Sequence, residues 1–289
     1  MLPTSNLSVS KAEDLRRRFA AHLRCAPYDP FMPEHSDLTP FCPPREDQGR
    51  TSTCYAHAIS VGIAAALSGA GVPSPVVPSP RIIAAMSERR EQRGPLRDCG
   101  VRLATALDVV REIGIAPMHS PTPDGRCSDV TSDGDYPGQA NDELDATERD
   151  LAECRKIPFD FGRTSIDLGS REVFDHLVTA LCTPPVAPIL IGAMVGMKFA
   201  RAVPGQVLEG DDDEDEGGHA LLIIGHRTDV YCKREFLLVN SWGTSWDESG
   251  EAWASEAWIL GHVFEAHPLT MRPPLGVIGR LMATLRSEL

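Results

Sequence analysis

Apolar positions along this chain recur with a helical period in the first half and gather into short continuous runs in the second. Ile59, Ile63 and Leu67 follow a polar loop at i, i+4 and i+8, which predicts a helix with one buried face starting near Cys54. Leu15, Phe19 and Leu23 predict a short amphipathic helix over 10–24, with Ser10 and Glu13 as its capping box. Ser79 and Pro80 cap and start a helix reaching Glu91, and Leu103, Leu107, Val110 and Ile113 predict another that stops at Gly114. Two more helices are expected, over 141–156 and 170–181. Strand-length apolar runs then stand at 186–194, 219–226, 236–240 and 250–254.

Helices first and strands later predict an α+β chain with segregated lobes. Residues 119–138 turn to Pro, Gly, Asp, Ser and Thr, a long loop suited to a lobe boundary. The expected organisation is therefore an N-terminal extension over 1–40, a helical lobe over 41–140 and a β-rich lobe over 141–289.

Composition narrows the partners. A net charge of -13 with no basic cluster argues against nucleic acid or an anionic membrane surface, and no run is apolar for the roughly 18 residues a membrane helix needs. The N-terminal residues lack a basic stretch followed by an apolar one, so no secretory signal is expected; the location expected is cytoplasmic, or outside the cell by a route without a cleaved signal. Eight cysteines are scattered with no Cys-x-x-Cys pair, so neither a metal nor a cofactor is expected. The acidic stretch 209–216 lacks the pattern of a calcium loop and reads as a solvated segment, one that ends close enough to His219 to favour imidazolium there and to attract basic substrates.

Three residues stand out chemically. Cys54 lies in the first turn of its predicted helix, where unpaired backbone N–H groups and the helix dipole favour thiolate over thiol. His219 opens one apolar run and Asn240 closes another, polar groups that an ordinary core would not hold. Two other histidines are weaker candidates. His57 suits a core position, and His226, an odd number of residues from His219, is expected on the opposite side of a regular strand.

The residues Gln48 to His57, with Cys54 six beyond Gln48, together with Gly217 to Gly225 and the Asn-Ser-Trp-Gly run from Asn240 to a second tryptophan at Trp246, resemble the papain-like cysteine peptidases. The order cysteine, histidine, asparagine over more than a hundred residues is the one such enzymes use. The resemblance covers roughly residues 40 to 265 and implies a two-lobed fold, with a β-barrel-like second lobe and the active site in the cleft between lobes. It implies Cys54 as nucleophile, His219 as acid and base, Asn240 as the group that orients the ring, and Gln48 with the Cys54 N–H as oxyanion donors. It places Trp242 as a lid on the His219–Asn240 bond, and Gly100, Arg102, Ala220 and Trp242 at the substrate. The pocket it implies takes an apolar side chain two residues before the scissile bond, or an acidic one if Arg102 points into the cleft.

Secreted members of that family carry a cysteine where this chain has Thr51, disulfide-bonded to one that Cys99 would match; half of that bridge is missing, which suits a reducing compartment. The activity implied is endopeptidase cleavage of peptides or proteins through an acyl-enzyme. Acyl transfer to an amine (a transpeptidase), deamidation and non-catalytic peptide binding on the same fold remain open alternatives.

Overall fold

The structure is a computed structural model and describes residues 33–72, 75–92, 99–116, 118, 165–170, 172–210, 217–228 and 233–270. The helix expected over 10–24, the loop at 119–138, the helix at 141–156 and most of the acidic stretch lie outside the described residues.

Helix α1, Cys54–Gly69, begins where the apolar period begins. It was expected to bury one face, but every residue from Cys54 to Leu67 is buried. The reason is its position between the sheet on one side and helices α2, Pro80–Glu91, and α3, Leu103–Ile113, on the other. A helix apolar all round is what such an environment selects. At Gly62 the approach is closest, since a Cβ there would overlap Leu269 Cδ1 and lie 3.0 Å from Leu222 Cδ1. Helix α2 starts as its sequence predicts, with the Ser79 hydroxyl accepting from Ile82 N at 3.4 Å and Pro80 in the first turn. Helix α3 stops at Gly114, whose φ of 93° favours glycine.

The second half is built on six antiparallel strands: β1 His35–Asp37, β2 Ile189–Val195, β3 Gly217–Thr228, β4 Arg234–Val239, β5 Glu251–Ser255 and β6 Val263–Pro268. Their order is β5-β4-β3-β2-β6, with β1 paired to β3 beyond the end of β2. The sheet is open, so the barrel-like lobe of the expectation is not a closed barrel among the described residues. Strand β1 belongs to the 1–40 segment yet pairs within this sheet, which ties that segment to the β-rich half. Helices α4, Val173–Cys182, α5, Met197–Ala200, and α6, Glu256–His262, pack on the strands. Arg234 joins β4 to two of them, holding Asp175 of α4 and, at 2.5 Å, Glu256 of α6.

Two irregularities reset the alternation of side chains. In β3, Ile223 pairs with Leu238 and Gly225 with Leu237, so Ile224 is an extra residue. Beyond it the parity reverses: His226 pairs with Phe236 and shares a side with Ile223, and so with His219. The expected opposite placement of His226 is thereby overturned, because a bulge interrupts the regular strand on which it rested. Seven residues of strand, roughly 20 Å, still separate the two rings, and His226 is occupied by Ser36 Oγ at 2.8 Å and the Pro33 carbonyl at 2.9 Å. In β6, Gly192 pairs with Glu265 and Ala193 with Val263, leaving Phe264 as the extra residue.

Candidate active site

A single pocket of about 250 Å³ is lined by the first turn of α1, the start of α3, the opening of β3 and the bulge of β6. Cys54, His219, Ala220, Gly100 and Arg102 all lie on its wall. Cys54 is buried, and its Sγ accepts the backbone N–H of Ala220 at 3.4 Å. The thiol thus rests against the residue next to His219, which joins the helix to the sheet at the point where chemistry was expected.

The state of the His219 ring follows from its neighbours. Asn240 Oδ1 accepts the Ser241 backbone N–H at 2.8 Å, which fixes that atom as the oxygen of the amide. His219 Nε2 lies 2.8 Å from the same oxygen and must therefore be the donor. The neutral ring then carries its lone pair on Nδ1, which is buried and makes no hydrogen bond among the described residues, to Cys54 Sγ or to any other group. Burial lowers the His219 pKa from 6.5 to about 4, against the opposing pull of the Asn240 hydrogen bond. Trp242 covers the ring at 4.7 Å between centroids, and Phe199 meets both from the side. Trp242 does not line the pocket. It packs instead on the rings of His219, Phe199 and Trp246.

Gln48 is fully buried and also absent from the pocket wall. Its side-chain nitrogen donates to Thr51 O at 2.5 Å and its oxygen accepts from Ser241 Oγ at 2.5 Å, while its backbone N–H reaches Ser241 O at 2.8 Å. It therefore splices the loop leading into Cys54 to the residue after Asn240. Thr51 strengthens the same loop through bonds to Gln48 O at 2.7 Å and Thr53 Oγ1 at 2.6 Å. A hydroxyl network stands at Thr51, the position where the resemblance left half of a bridge missing. Among the described residues none of Cys42, Cys54, Cys99 and Cys182 is in a disulfide.

His57 is buried, and its Nδ1 lies 2.6 Å from Glu46 Oε2. Arg102 stands at the rim with 74% of its side chain exposed, its Nε bonded to Glu91 Oε1 at 2.6 Å. Gly100 has a φ of 71°, which lets the chain turn across the pocket mouth into α3.

The sequence reading missed Gly192, Phe264 and Glu265, which complete the wall. Their signal was faint: one glycine inside an apolar run, and two residues made neighbours in the pocket by a bulge. No cluster of three or more His, Cys, Asp or Glu side chains suited to a metal occurs among the described residues, and no helix there is long and apolar enough to cross a membrane.

No family model and no curated protein sequence matches the chain. Solved structures do. Xylellain, a cysteine protease from Xylella fastidiosa, aligns at 20% identity with a TM-score of 0.57, over 84% of this chain and 88% of that one. Digestive procathepsin L 3 of Tenebrio molitor larval midgut aligns at 16% identity and 0.57, over 90% and 79%. The bromelain protease of Ananas comosus, in complex with the E64 inhibitor, aligns at 14% and 0.55, over 82% and 98%. The fold of this chain is that of the papain-like cysteine peptidases, an α+β fold of two lobes.

Proposed function

We propose that the chain is a cysteine endopeptidase working through Cys54 and His219. The observation that carries this is the placement of the Cys54 thiol and a buried, acceptor-ready His219 Nδ1 on one pocket, with the other ring nitrogen held by Asn240. A thiol in the first turn of a sixteen-residue helix has the positive end of the helix dipole behind it. His219 Nδ1 takes the thiol proton to form the thiolate–imidazolium pair; the thiolate attacks the carbonyl, and the imidazolium passes the proton to the amine as the C–N bond breaks. Water then repeats the sequence on the acyl-enzyme, with Nδ1 as the base.

The imidazolium is expensive in a buried site, and a thiolate beside it supplies the opposite charge that offsets burial. Charge separation is thus tied to the pair and absent in either residue alone. The oxyanion faces the first turn of α1, at the positive end of the helix dipole. Gln48 enters this mechanism by holding the loop before Cys54 against Ser241, so that both halves of the site keep one geometry.

A mixed peptide library read by mass spectrometry tests the reading. Endoproteolytic cleavage by the wild type is expected, with loss in Cys54→Ala and His219→Ala while the fold stays intact by circular dichroism. Acyl transfer or side-chain deamidation without cleavage would replace endopeptidase with the alternative chemistry. Undiminished cleavage by Cys54→Ala would reject the proposal.

A further inference from the structure

His57 and Glu46 are titratable groups beside the site that the chemistry at Cys54 does not use, with only 3% and 14% of their side chains exposed. The helix that carries Cys54 lacks a cap of its own, since the Thr53 side chain makes no capping bond. His57 supplies a tie instead. Its backbone N–H bonds the Thr53 carbonyl at 3.2 Å, closing the turn that holds Cys54, and its ring meets Glu46 Oε2 at 2.6 Å through Nδ1. Glu46 in turn accepts the Gly243 N–H on its backbone carbonyl at 3.0 Å. Gly243 follows Trp242, whose ring covers His219. A continuous path therefore runs from the turn of the thiol to the ring that covers the base.

We propose, resting on the cysteine–histidine chemistry described above, that Glu46 and His57 are positioning residues, a clamp that sets the Cys54 thiol against the His219 ring. Neither lines the pocket, so neither touches substrate. Two further links join the same loop to the stretch 241–243: Gln48 N to Ser241 O at 2.8 Å, and the pairing of Asp47 with Trp242. The Gln48 side chain ends on the Thr51 carbonyl, in the loop before the helix. The Glu46 carboxylate reaches the helix itself.

Stability alone does not account for the pair. A buried carboxylate and its partner can often be exchanged for apolar side chains of similar volume without loss of stability. Here Glu46 Oε1 and His57 Nε2 are also buried with no hydrogen bond among the described residues, which adds a desolvation cost. A bond of 2.6 Å to a carboxylate does what an apolar contact does not: it fixes both distance and direction. That matters because thiol and imidazole stand on separate elements, α1 and β3. A misplacement of about 1 Å between reacting groups is enough to slow a reaction about 100-fold.

The test compares wild type with Glu46→Leu, which removes the acceptor, Glu46→Gln, which keeps one, and His57→Phe, which fills the place of the ring without its donor. Iodoacetamide modification, mapped to Cys54 by peptide mass, is followed at pH 5–6, where a thiol paired with imidazolium reacts, and near pH 9, where a thiol ionises unaided. In Glu46→Leu and His57→Phe the acid-side rate should fall by about tenfold or more while the alkaline rate stays within about threefold of wild type. On a cleaved peptide kcat should fall likewise with KM within about threefold, and Glu46→Gln should stay within about threefold of wild type throughout. Circular dichroism checks each fold, and either apolar variant suffices if the other does not fold; if neither folds, the pair is a requirement of the fold and the assignment is overturned. Apolar variants that match a reactive wild type at pH 5–6, or a Glu46→Gln as slow as Glu46→Leu, overturn the clamp alone. The expected alkylation pattern with no cleavage by wild type leaves the clamp standing and removes the endopeptidase reading. A wild-type Cys54 inert at pH 5–6 removes the thiolate–imidazolium pair, and the clamp with it.

Discussion

His219 Nε2 donates to Asn240 Oδ1 at 2.8 Å, and because that oxygen also receives the Ser241 N–H, the ring has one tautomer available. The base at Nδ1 is therefore set by a backbone amide two bonds removed from the chemistry. Asn240→Ala removes this constraint without removing the base. Turnover should fall by about 10–100-fold, less than the full contribution of roughly 10²–10⁴ expected of a positioned acid–base group. Steady-state kinetics checks this, and a loss as deep as that of His219→Ala would assign Asn240 a chemical role rather than an orienting one.

The buried ring also predicts a titration. With the thiol removed in Cys54→Ala, burial should hold His219 neutral down to a pH of about 4. The unfolded chain takes up that proton near the ordinary histidine value of 6.5, so stability is unaffected above it, declines as pH falls towards 4 and then levels. The drop amounts to about 3 kcal/mol, at about 1.4 kcal/mol per pH unit. Denaturant melts across this range, with NMR of the ring, would show it. A His219 titrating near 6.5 in this variant would contradict the burial argument.

Gln48 gives a prediction that separates bracing from direct catalysis. Gln48→Ala strands the Thr51 carbonyl and the Ser241 hydroxyl in a buried site, at a cost of about 1–3 kcal/mol each before relaxation. A lower denaturant midpoint together with reduced turnover is expected. Reduced turnover at wild-type stability would return Gln48 to a purely oxyanion-binding role.

Away from the site, Arg234 carries a structural load. Only 8% of its side chain is exposed, it stacks over the Phe174 ring at 5.1 Å, and it holds Asp175 and Glu256 from two different helices. Burial pushes the Glu256 carboxyl up, and the Arg234 hydrogen bond and charge oppose that push. Arg234→Met should cost about 3 kcal/mol by leaving these carboxylates uncompensated. A change under about 0.5 kcal/mol in chemical denaturation would show that solvent already satisfies them.

Much of this molecule was legible from periodicity. The starts of α1 and α2, the stop of α3 at Gly114 and the four later strands stand close to where apolar spacing and turn residues put them. What escaped has a common cause: bulges change side-chain direction without leaving a clear mark on composition. The extra residue Ile224 moved His226 across the sheet, and the extra residue Phe264 created a pocket wall from a stretch to which no strand had been assigned. The burial of α1 on every side was likewise set by what packs around it. For Gln48 and Trp242, order along the chain suggested their neighbourhood, while their contacts, with Thr51 and Ser241 in one case and the His219 ring in the other, emerged only from three dimensions.

The central claim is that Cys54 and His219 form one charge-separated pair, and the pH dependence of Cys54 alkylation tests it most directly. Iodoacetamide modification, mapped to Cys54 by peptide mass, should proceed at pH 5–6 in wild type at a rate an ordinary thiol reaches only near its pKa of about 8.5. In His219→Ala that acid-side reactivity should disappear and the rate should rise only with alkaline pH. A wild-type profile matching that of His219→Ala, with Cys54 inert below pH 8, would contradict the account.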